Sequence, residues 1–244
     1  QDIAVALKTL TLAGLSAAES SKALNAVMQF ALAGELPVER AADVLVSVGT
    51  AFGYTANAYS YVANMLTSAS AASRASVDSM SASIKQATAL NATYGVSLKD
   101  VTLGIALQAQ VGIDYGIAGT SLRNFYADIS GRTPKAKKAL DELGVSLYHT
   151  SGAMKGQLKD LKDLSREIAI GSGGFTDLAK RAEVFNAAFS ERGAKPAAAF
   201  TKEALKVQEV NGKLMTGVEI MAEKIENNLS IVELAAIRMK LTTQ

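Results

Sequence analysis

The sequence predicts an all-α fold, a multi-helix domain of stacked antiparallel helical hairpins. Three observations support this. Hydrophobic residues make up 49% of the 244 residues and aromatic residues only 6%, so the core must consist mainly of small and aliphatic side chains. The chain has only 3 prolines. Apolar residues recur at spacings of three and four, and capping residues precede many of these segments.

Composition also excludes several classes of function. A formal net charge of +2 is too small to require a nucleic-acid partner, so we expect no specific nucleic-acid binding. Without cysteine, the chain forms neither a disulfide framework nor a thiolate metal site. Because it opens at Gln1 rather than Met, we expect a processed product or part of a longer polypeptide, and no signal peptide is evident.

The first third reads as capped helices. Residues 2–13 resemble the end of an earlier helix, and Ser16 with Glu19 has the form of a capping box that begins a helix ending near Gly34. Pro37 is expected at the first position of the next helix, which ends at Gly53. The apolar face of that helix consists of Val38, Ala41, Leu45, Val48 and Phe52.

Residues 55–94 are rich in alanine and serine. We expect Thr55 to cap a helix, a break at residues 68–73, and then a longer helix from Val77 to Leu90. Serine is a poor helix former, so this region must gain stability from packing; low-complexity disorder is the alternative.

A shift of 60 residues superimposes two parts of this pattern. It places Leu24 on Ile84, and the break at residues 36–38 on the break at residues 96–98, where Ser97 is the expected cap. This spacing indicates a repeated unit of helix, small-residue break, cap and helix.

Residues 112–124 are the most unusual stretch. Small residues at this density indicate either a tight turn between helices or a close crossing of two helices. We expect Arg123 to bond main-chain carbonyls or to pair with Asp114 or Asp128; a dedicated partner-binding site is the alternative. The predicted structural motif comprises Gly112, Gly116, Ala118, Gly119, Thr120, Leu122, Arg123, Asn124 and, further along the chain, Gly144.

The remainder is also predicted to be mainly helical. A helix from Thr133 to Leu143 ends at Gly144, and residues 145–152 are the one stretch expected to be extended. Leucines at 158, 161 and 164 with Ile168 stripe another helix, whose charged residues between 159 and 167 indicate a solvated face. We expect Thr176 to cap a helix that residues 192–193 break, and a helical pattern from 195 to 244 with interruptions at Gly212, Gly217 and residues 227–228.

These observations divide the chain into three parts. Residues 1–170 are the predicted helical domain, residues 171–174 a flexible glycine and serine joint, and residues 175–244 a more extended helical segment.

No residue pattern indicates an enzyme. His149 is the only histidine, so a multi-histidine metal site is excluded and a surface role is favoured over a general base. No Gly-x-Ser-x-Gly elbow is present, and residues 171–174 lack the Lys-[Ser/Thr] that follows a phosphate-binding loop. Carboxylates at 141–142 and 160–167 lie among lysines, which lower carboxyl pKa values and so oppose a glycosidase acid. We therefore expect no catalytic residues, metal or cofactor.

Residues 98–111 are apolar on more than one face. This pattern fits a buried central helix; a membrane-inserting helix is the alternative, which Gln108, Gln110 and Asp114 disfavour because polar groups are costly in lipid.

Several of these motifs resemble the conserved helical region of tail tape measure proteins from long-tailed bacteriophages and phage-tail-like particles. The most specific match is Gly-Ile at 112–113 followed by Ala-Gly-Thr-Ser-Leu-Arg-Asn at 118–124. Looser matches are the breaks at 34–39 and 95–100, Ala-Leu-Asp-Glu-Leu-Gly-Val at 139–145, and the segment from Phe185 to Gly193, where Ser190 replaces an expected glycine.

The resemblance implies a structural virion protein of the tail, located in the tube lumen or at the tip. Such proteins set tail length, template tube assembly and leave the tail before DNA ejection. The implied partners are the tail tube and the tail tip or baseplate hub proteins, with self-association inside the tail. A membrane-inserting or wall-penetrating role during genome delivery, with membrane contact, is the alternative.

Overall fold

The computed structural model describes residues 2–73 and 75–227. Within them most of the chain is helical, which confirms the predicted all-α class. The helices are α1 Asp2–Leu12, α2 Ala17–Gly34, α3 Val38–Ala51, α4 Tyr59–Ser73, α5 Val77–Ala87, α6 Ala89–Tyr94, α7 Leu98–Gln110, α8 Tyr115–Ile129, α9 Pro134–Leu143, α10 Leu161–Gly173, α11 Leu178–Ala188, α12 Glu191–Leu205 and α13 Gly217–Asn227. A 3₁₀ turn at Ala56–Ala58 precedes α4, and strands β1 Val207–Val210 and β2 Lys213–Thr216 form one hairpin.

Helix α7 is the centre of the fold. Every residue from 100 to 108 is buried, and the helix packs against α4, α5, α8, α12 and α13. Since neighbours cover all its faces, the prediction of a buried central helix is confirmed. Among the described residues, none of the helices combines the length and the apolar character needed to cross a membrane.

The helix boundaries reproduce the 60-residue offset. Ser16 caps α2, and Ser76, 60 residues later, caps α5; likewise α3 begins at Val38 and α7 at Leu98. We call residues 16–73 the first unit and residues 76–129 the second unit. Each consists of a hairpin followed by a 15-residue helix, α4 or α8, that packs on both arms of the hairpin.

Several predicted caps are present. Ser16 and Glu19 form a complete capping box, and the Ser97 hydroxyl oxygen accepts a bond from the backbone N–H of Asp100. Pro37, however, is the N-cap of α3 rather than its first residue. Thr55 precedes only the 3₁₀ turn, and its side chain makes no capping bond.

The predicted break at residues 68–73 is wrong. Helix α4 continues to Ser73, because Thr67 and Ser73 bond the main-chain carbonyls four residues earlier instead of interrupting the helix. The break lies at residues 75–76, and the helix that follows is interrupted at Thr88 between α5 and α6.

The helical pattern predicted on both sides of an interruption at Gly212 is also wrong for residues 207–216. These residues form an antiparallel hairpin in which Val207 pairs with Thr216. Asn211 and Gly212 both have positive φ, +52° and +75°, the conformation of a tight two-residue hairpin turn. Residues 145–152 contribute only an isolated bridge, from Tyr148 to Leu158.

The joint predicted at residues 171–174 has a different local structure. Gly171 to Gly173 form the last turn of α10, and a side chain at Gly171 would lie 2.0 Å from the carbonyl oxygen of Leu143. This glycine allows α10 to pack on the end of α9.

The helices after this point lie against the rest of the core. Helix α12 packs on α7, α8 and α10 and buries Phe200 completely, and α13 packs on α4 and α7. Residues 228–244 of the predicted helical segment lie outside the described residues, and the division of the chain into two domains stays a prediction.

Two further boundaries differ from those predicted. Asp177, not Thr176, caps α11, and the break after α11 lies at Phe189, so residues 192–193 belong to the first turn of α12.

One residue of the predicted solvated face is buried. Lys159 is 6% exposed, and its Nζ donates to Glu167 Oε1.

Candidate functional site

The glycine-rich stretch forms the turn between α7 and α8 and the first half of α8. Gly112 has a φ of +84°, which closes the turn after α7. Asp114 then caps α8 by accepting a hydrogen bond of 2.7 Å from the backbone N–H of Gly116. A side chain at Gly116 would lie 2.8 Å from that carboxylate, so a small residue here leaves room for the cap.

Gly119 lies where α8 crosses α5. A Cβ atom at this position would be 2.0 Å from the carbonyl oxygen of Ser83 and 3.0 Å from the Cβ of Gln86. The obstacle is main chain of α5, which cannot rotate away as a side-chain end would. The two helices therefore approach at a distance that only glycine permits.

Two polar contacts lie beside this crossing. Thr120 Oγ1 donates to Gln86 Oε1 over 3.1 Å, and Arg123 Nη1 donates to the Gln86 carbonyl over 3.2 Å. This carbonyl belongs to the last turn of α5, where a cation also complements the helix dipole. Arg123 thus makes the predicted carbonyl bond.

A neighbouring face of α8 packs on α7. Leu122 is fully buried, and its Cδ1 would be 2.9 Å from a side chain at Gly104. Gln108 of α7 donates from Nε2 to the carbonyl oxygen of Ala118 over 3.2 Å. Asn124 instead bonds the Thr120 carbonyl within its own helix. Residues 112–124 therefore hold α8 between α5 and α7.

Gly144 does not belong to this cluster. It ends α9 with a φ of +69°, and its N–H bonds the Asp141 carbonyl. The close contact near Gly144 is between Gly171 of α10 and Leu143 of α9, away from the crossing of α5 and α8. The structure therefore separates Gly144 from the other predicted motif residues.

A second junction, which the sequence pattern does not predict, holds α8 against α12. Asp128 is 2% exposed, and its Oδ2 accepts bonds of 2.8 Å from the Ser190 N–H and 2.6 Å from the Ser190 hydroxyl. Its other oxygen pairs with Arg132. A side chain at Gly193 would lie 2.0 Å from Asp128 Oδ2. Ser190, which departs from the family pattern, is therefore the residue that binds this carboxylate and caps α12.

Asp100 joins the N-termini of α7 and α10. Its Oδ2 accepts the Ser97 hydroxyl at 2.8 Å and its Oδ1 accepts the Leu161 N–H at 3.1 Å. Burial raises the pKa of Asp100 above its usual 3.8, and these two hydrogen bonds oppose the shift. The pKa of the nearby buried Tyr126 is also raised, first by burial and then by the charges of Asp100 and Asp160.

His149 lies in the loop between α9 and α10, and its main chain bonds Gln157 and Gly156. Within residues 2–73 and 75–227, no group of three or more His, Asp or Glu side chains is placed to hold a metal ion. What the described geometry does provide is a set of contacts that fix one helix on another.

Comparison with known proteins identifies the family. The family model described as "Phage-related minor tail protein" matches residues 1–190, which include the whole first and second units. The chain belongs to the phage-related minor tail protein family. The turn and crossing at residues 112–124, which carry the resemblance to tape measure proteins, lie within the matched range.

One relative of the chain is the protein named "Tape measure protein" of Pneumococcus phage Dp-1. It is 29% identical over 154 residues, which are 63% of this chain but only 13% of that protein. This chain therefore spans a small part of the length of that relative. No solved structure matches the chain.

Proposed function

We propose that this chain is a segment of a tape measure protein, a structural protein of the phage tail. In this proposal the parent protein sets tail length, templates assembly of the tail tube and leaves the tail before DNA ejection. The observation that carries the proposal is the family match over residues 1–190, supported by the name of the Dp-1 relative.

The fold constrains how this segment takes part. A ruler converts residues into distance at about 1.5 Å per residue only where the chain is one continuous helix, so residues 2–227 would span about 340 Å in that form. The described helices are 6 to 18 residues long and fold back on one another. A compact chain of this size has a radius of gyration of about 17 Å.

The sequence opposes conversion to one continuous helix. Pro37 and Pro134 lie at helix starts, where their missing N–H is harmless, whereas inside a continuous helix each would cost about 3 kcal/mol. Gly53, Gly95 and Gly144 have positive φ values that end helices. We therefore propose that this segment acts as a folded module and that other parts of the parent chain supply the measured length.

The proposed partners are the proteins that a tape measure protein contacts in the tail. These are the tail tube, the tail tip or baseplate hub, and further copies of the same chain. Among the exposed aliphatic side chains available to such partners, Leu12 is 79% and Leu214 is 71% exposed.

Tail length measured by electron microscopy tests both parts of the proposal. A stop codon early in the parent gene should abolish tails or leave them without a defined length; normal tails would contradict the tape measure role. An in-frame deletion of residues 2–227 tests the folded module. We expect either a change far smaller than the roughly 340 Å of an extended helix or a failure of assembly. Tails shortened by the full helical length would show that the segment is stretched.

Membrane insertion is the second candidate function, and it rests on the apolar faces of α7. Those faces are buried against α4, α5 and α8, so insertion requires α7 to leave the core. Leakage of anionic liposomes by the intact chain at neutral pH would support this function. We expect intact vesicles together with cooperative unfolding, because the core must open before α7 reaches lipid.

A further inference from the structure

The surface formed by α10, α11 and α12 carries a groove that the family match does not explain. The groove encloses about 470 Å³, within the range of sites that accept several side chains of a ligand. We call it the α10–α12 groove. Its lining is Ala169, Ser172, Gly173, Arg181, Ala182, Phe185, Asn186, Ala198, Thr201, Lys202 and Leu205.

The groove follows one face of α12. On α12 its lining residues follow the i, i+3, i+4, i+7 pattern of one helix face, from Ala198 to Leu205, which extends about 10 Å along the axis. Ala169 and Gly173 of α10 and Ala182 of α11 line the other sides of the groove. Because these side chains are small, the backbone of a bound helix can approach closely.

The outer face of helix α11 is exposed and carries apolar residues together with Lys180, Arg181 and Glu183. All six residues from 178 to 183 are exposed, and α11 buries only Val184 and Ala188. Leu178, the first residue of α11, is 66% exposed. On the flanking helices Ile170 is 69% and Leu205 is 64% exposed. Of these three exposed aliphatic side chains, Leu205 lines the groove itself.

The charge of the groove specifies the partner. Among the described residues that line it, Arg181 and Lys202 are the charged ones, and none is a carboxylate. Neither cation forms an ion pair within residues 2–73 and 75–227. The apolar lining and the two unpaired cations are complementary to a helix that carries aliphatic residues on one face and carboxylates beside them.

We propose that the α10–α12 groove binds an acidic amphipathic helix of a separate polypeptide. Aliphatic side chains of that helix enter between α11 and α12, and its carboxylates meet Arg181 and Lys202. This proposal does not depend on the length-setting role, because it follows from the groove alone.

A defined peptide tests the proposal on the full 244-residue chain. The probe is a fluorescein-labelled 18-residue helical peptide with leucines at i, i+3, i+4 and i+7 and glutamates beside them. The control probe carries lysines in place of the glutamates. In a fluorescence anisotropy titration we expect the acidic peptide to bind at least tenfold more tightly than the basic one. Equal binding of both peptides, or binding of neither, would overturn the proposal.

Charge-reversal variants locate the site. Arg181→Glu combined with Lys202→Glu should weaken binding of the acidic peptide at least tenfold. The matched control is Arg192→Glu with Lys195→Glu, which changes the same charge at exposed positions of α12 outside the groove and should leave binding unchanged. Far-UV circular dichroism checks that both variants fold. An unchanged affinity in the first variant would contradict the proposal.

A photo-crosslinker identifies the occupant. With benzoylphenylalanine at Ala198 of the full chain, we expect a cross-link to the acidic peptide. A cross-link within the same chain would show that the chain covers its own groove. A cross-link between two copies, with dimers in sedimentation, would show that a second copy is the occupant. Either result overturns the assignment to a separate acidic helix.

Discussion

The first unit and the second unit share one plan but differ in how closely their helices meet. Both begin with a capping serine, turn through a left-handed residue at position 35 or 95, and end in a 15-residue helix. In the second unit that helix crosses α5 at Gly119. When α4 and α8 are aligned on their first residues, Tyr59 and Tyr115, the residue of α4 that corresponds to Gly119 is Ala63, which is fully buried.

At two other equivalent positions, the second unit again has the residue that depends more on backbone conformation or burial. The left-handed residue is Glu35 in the first unit, with a φ of +54°, and Gly95 in the second. The third residue of α3 is Arg40, which pairs with Asp78 near the surface. The third residue of α7 is the buried Asp100, which accepts a hydrogen bond from the N–H of Leu161, the first residue of α10. The second unit thus relies more on backbone contact and buried polar groups. We therefore expect it to tolerate fewer substitutions.

The largest expected effect is at the helix crossing. Gly119→Ala should destabilise the chain by about 3 kcal/mol or more, because its new Cβ meets the carbonyl of Ser83. Gly119→Val should prevent folding or assembly. The reciprocal change Ala63→Gly in the first unit should cost only about 1 kcal/mol, the usual penalty of glycine in a helix.

Urea unfolding followed by circular dichroism measures these differences. Gly173→Ala serves as the control, because a Cβ atom at this helical glycine would have no neighbour within 4 Å among the described residues and should change stability by about 0.5 kcal/mol at most. A Gly119→Ala variant as stable as wild type would show that α5 and α8 do not meet as described.

The next effect concerns the third helical position. Asp100→Ala leaves the buried N–H of Leu161 without its acceptor and should cost about 2 kcal/mol. Arg40→Ala removes a surface ion pair, and we expect a loss below about 1 kcal/mol. Denaturant midpoints of the two variants, with Asp100→Asn as the isosteric control, provide the comparison. Equal losses at both positions would remove this distinction between the units.

Exchange of the left-handed residues should have a smaller effect. Glu35→Gly relieves a side chain from positive φ and should stabilise the chain by about 0.5 kcal/mol, since the gain is offset by the greater freedom of glycine when unfolded. Gly95→Ala should destabilise by about 1 kcal/mol. Thermal melting of both variants tests this, and a destabilised Glu35→Gly would contradict it.

The smallest expected effect is a pH dependence of opposite sign in the two units. Bonding to Lys85 lowers the pKa of Asp43 below 3.8, so its stabilising contribution is present above pH 3.8 and disappears as the pH falls through its folded pKa. The raised pKa of Asp100 has the reverse consequence. Its contribution is complete below pH 3.8 and is lost as the pH rises through its folded pKa.

Unfolding of wild type, Asp43→Asn and Asp100→Asn between pH 7 and pH 3 tests these signs. Wild type should gain stability relative to Asp100→Asn as the pH falls from 7. Wild type should be more stable than Asp43→Asn by less than about 1 kcal/mol, and this difference in unfolding free energy should disappear only below pH 3.8. The same sign for both variants would disprove the assignment.

The sequence was sufficient to place most of the helices in residues 2–143. Capping residues such as Ser16 and Ser97 specify local hydrogen bonds, and the 60-residue offset located equivalent helices in both units. The turn and crossing at Gly112 and Gly119 were also accessible, because a high density of small residues has few other structural explanations.

The remaining features depend on partners that are distant in sequence. The acceptor opposite Gly119 is Ser83, and Ser190 bonds Asp128 over a separation of 62 residues; no local pattern specifies either contact. The 207–216 hairpin was different, since Asn211-Gly212 is a recognised signal of a two-residue hairpin turn that the helical interpretation overlooked.

Cryo-electron microscopy of an assembled particle that contains this chain tests most directly whether the segment acts in the tail as a folded module. We predict compact helical density in the tail into which the second unit fits, with α8 crossing α5 at Gly119. One continuous helix running along the tube axis in place of this module would contradict the account.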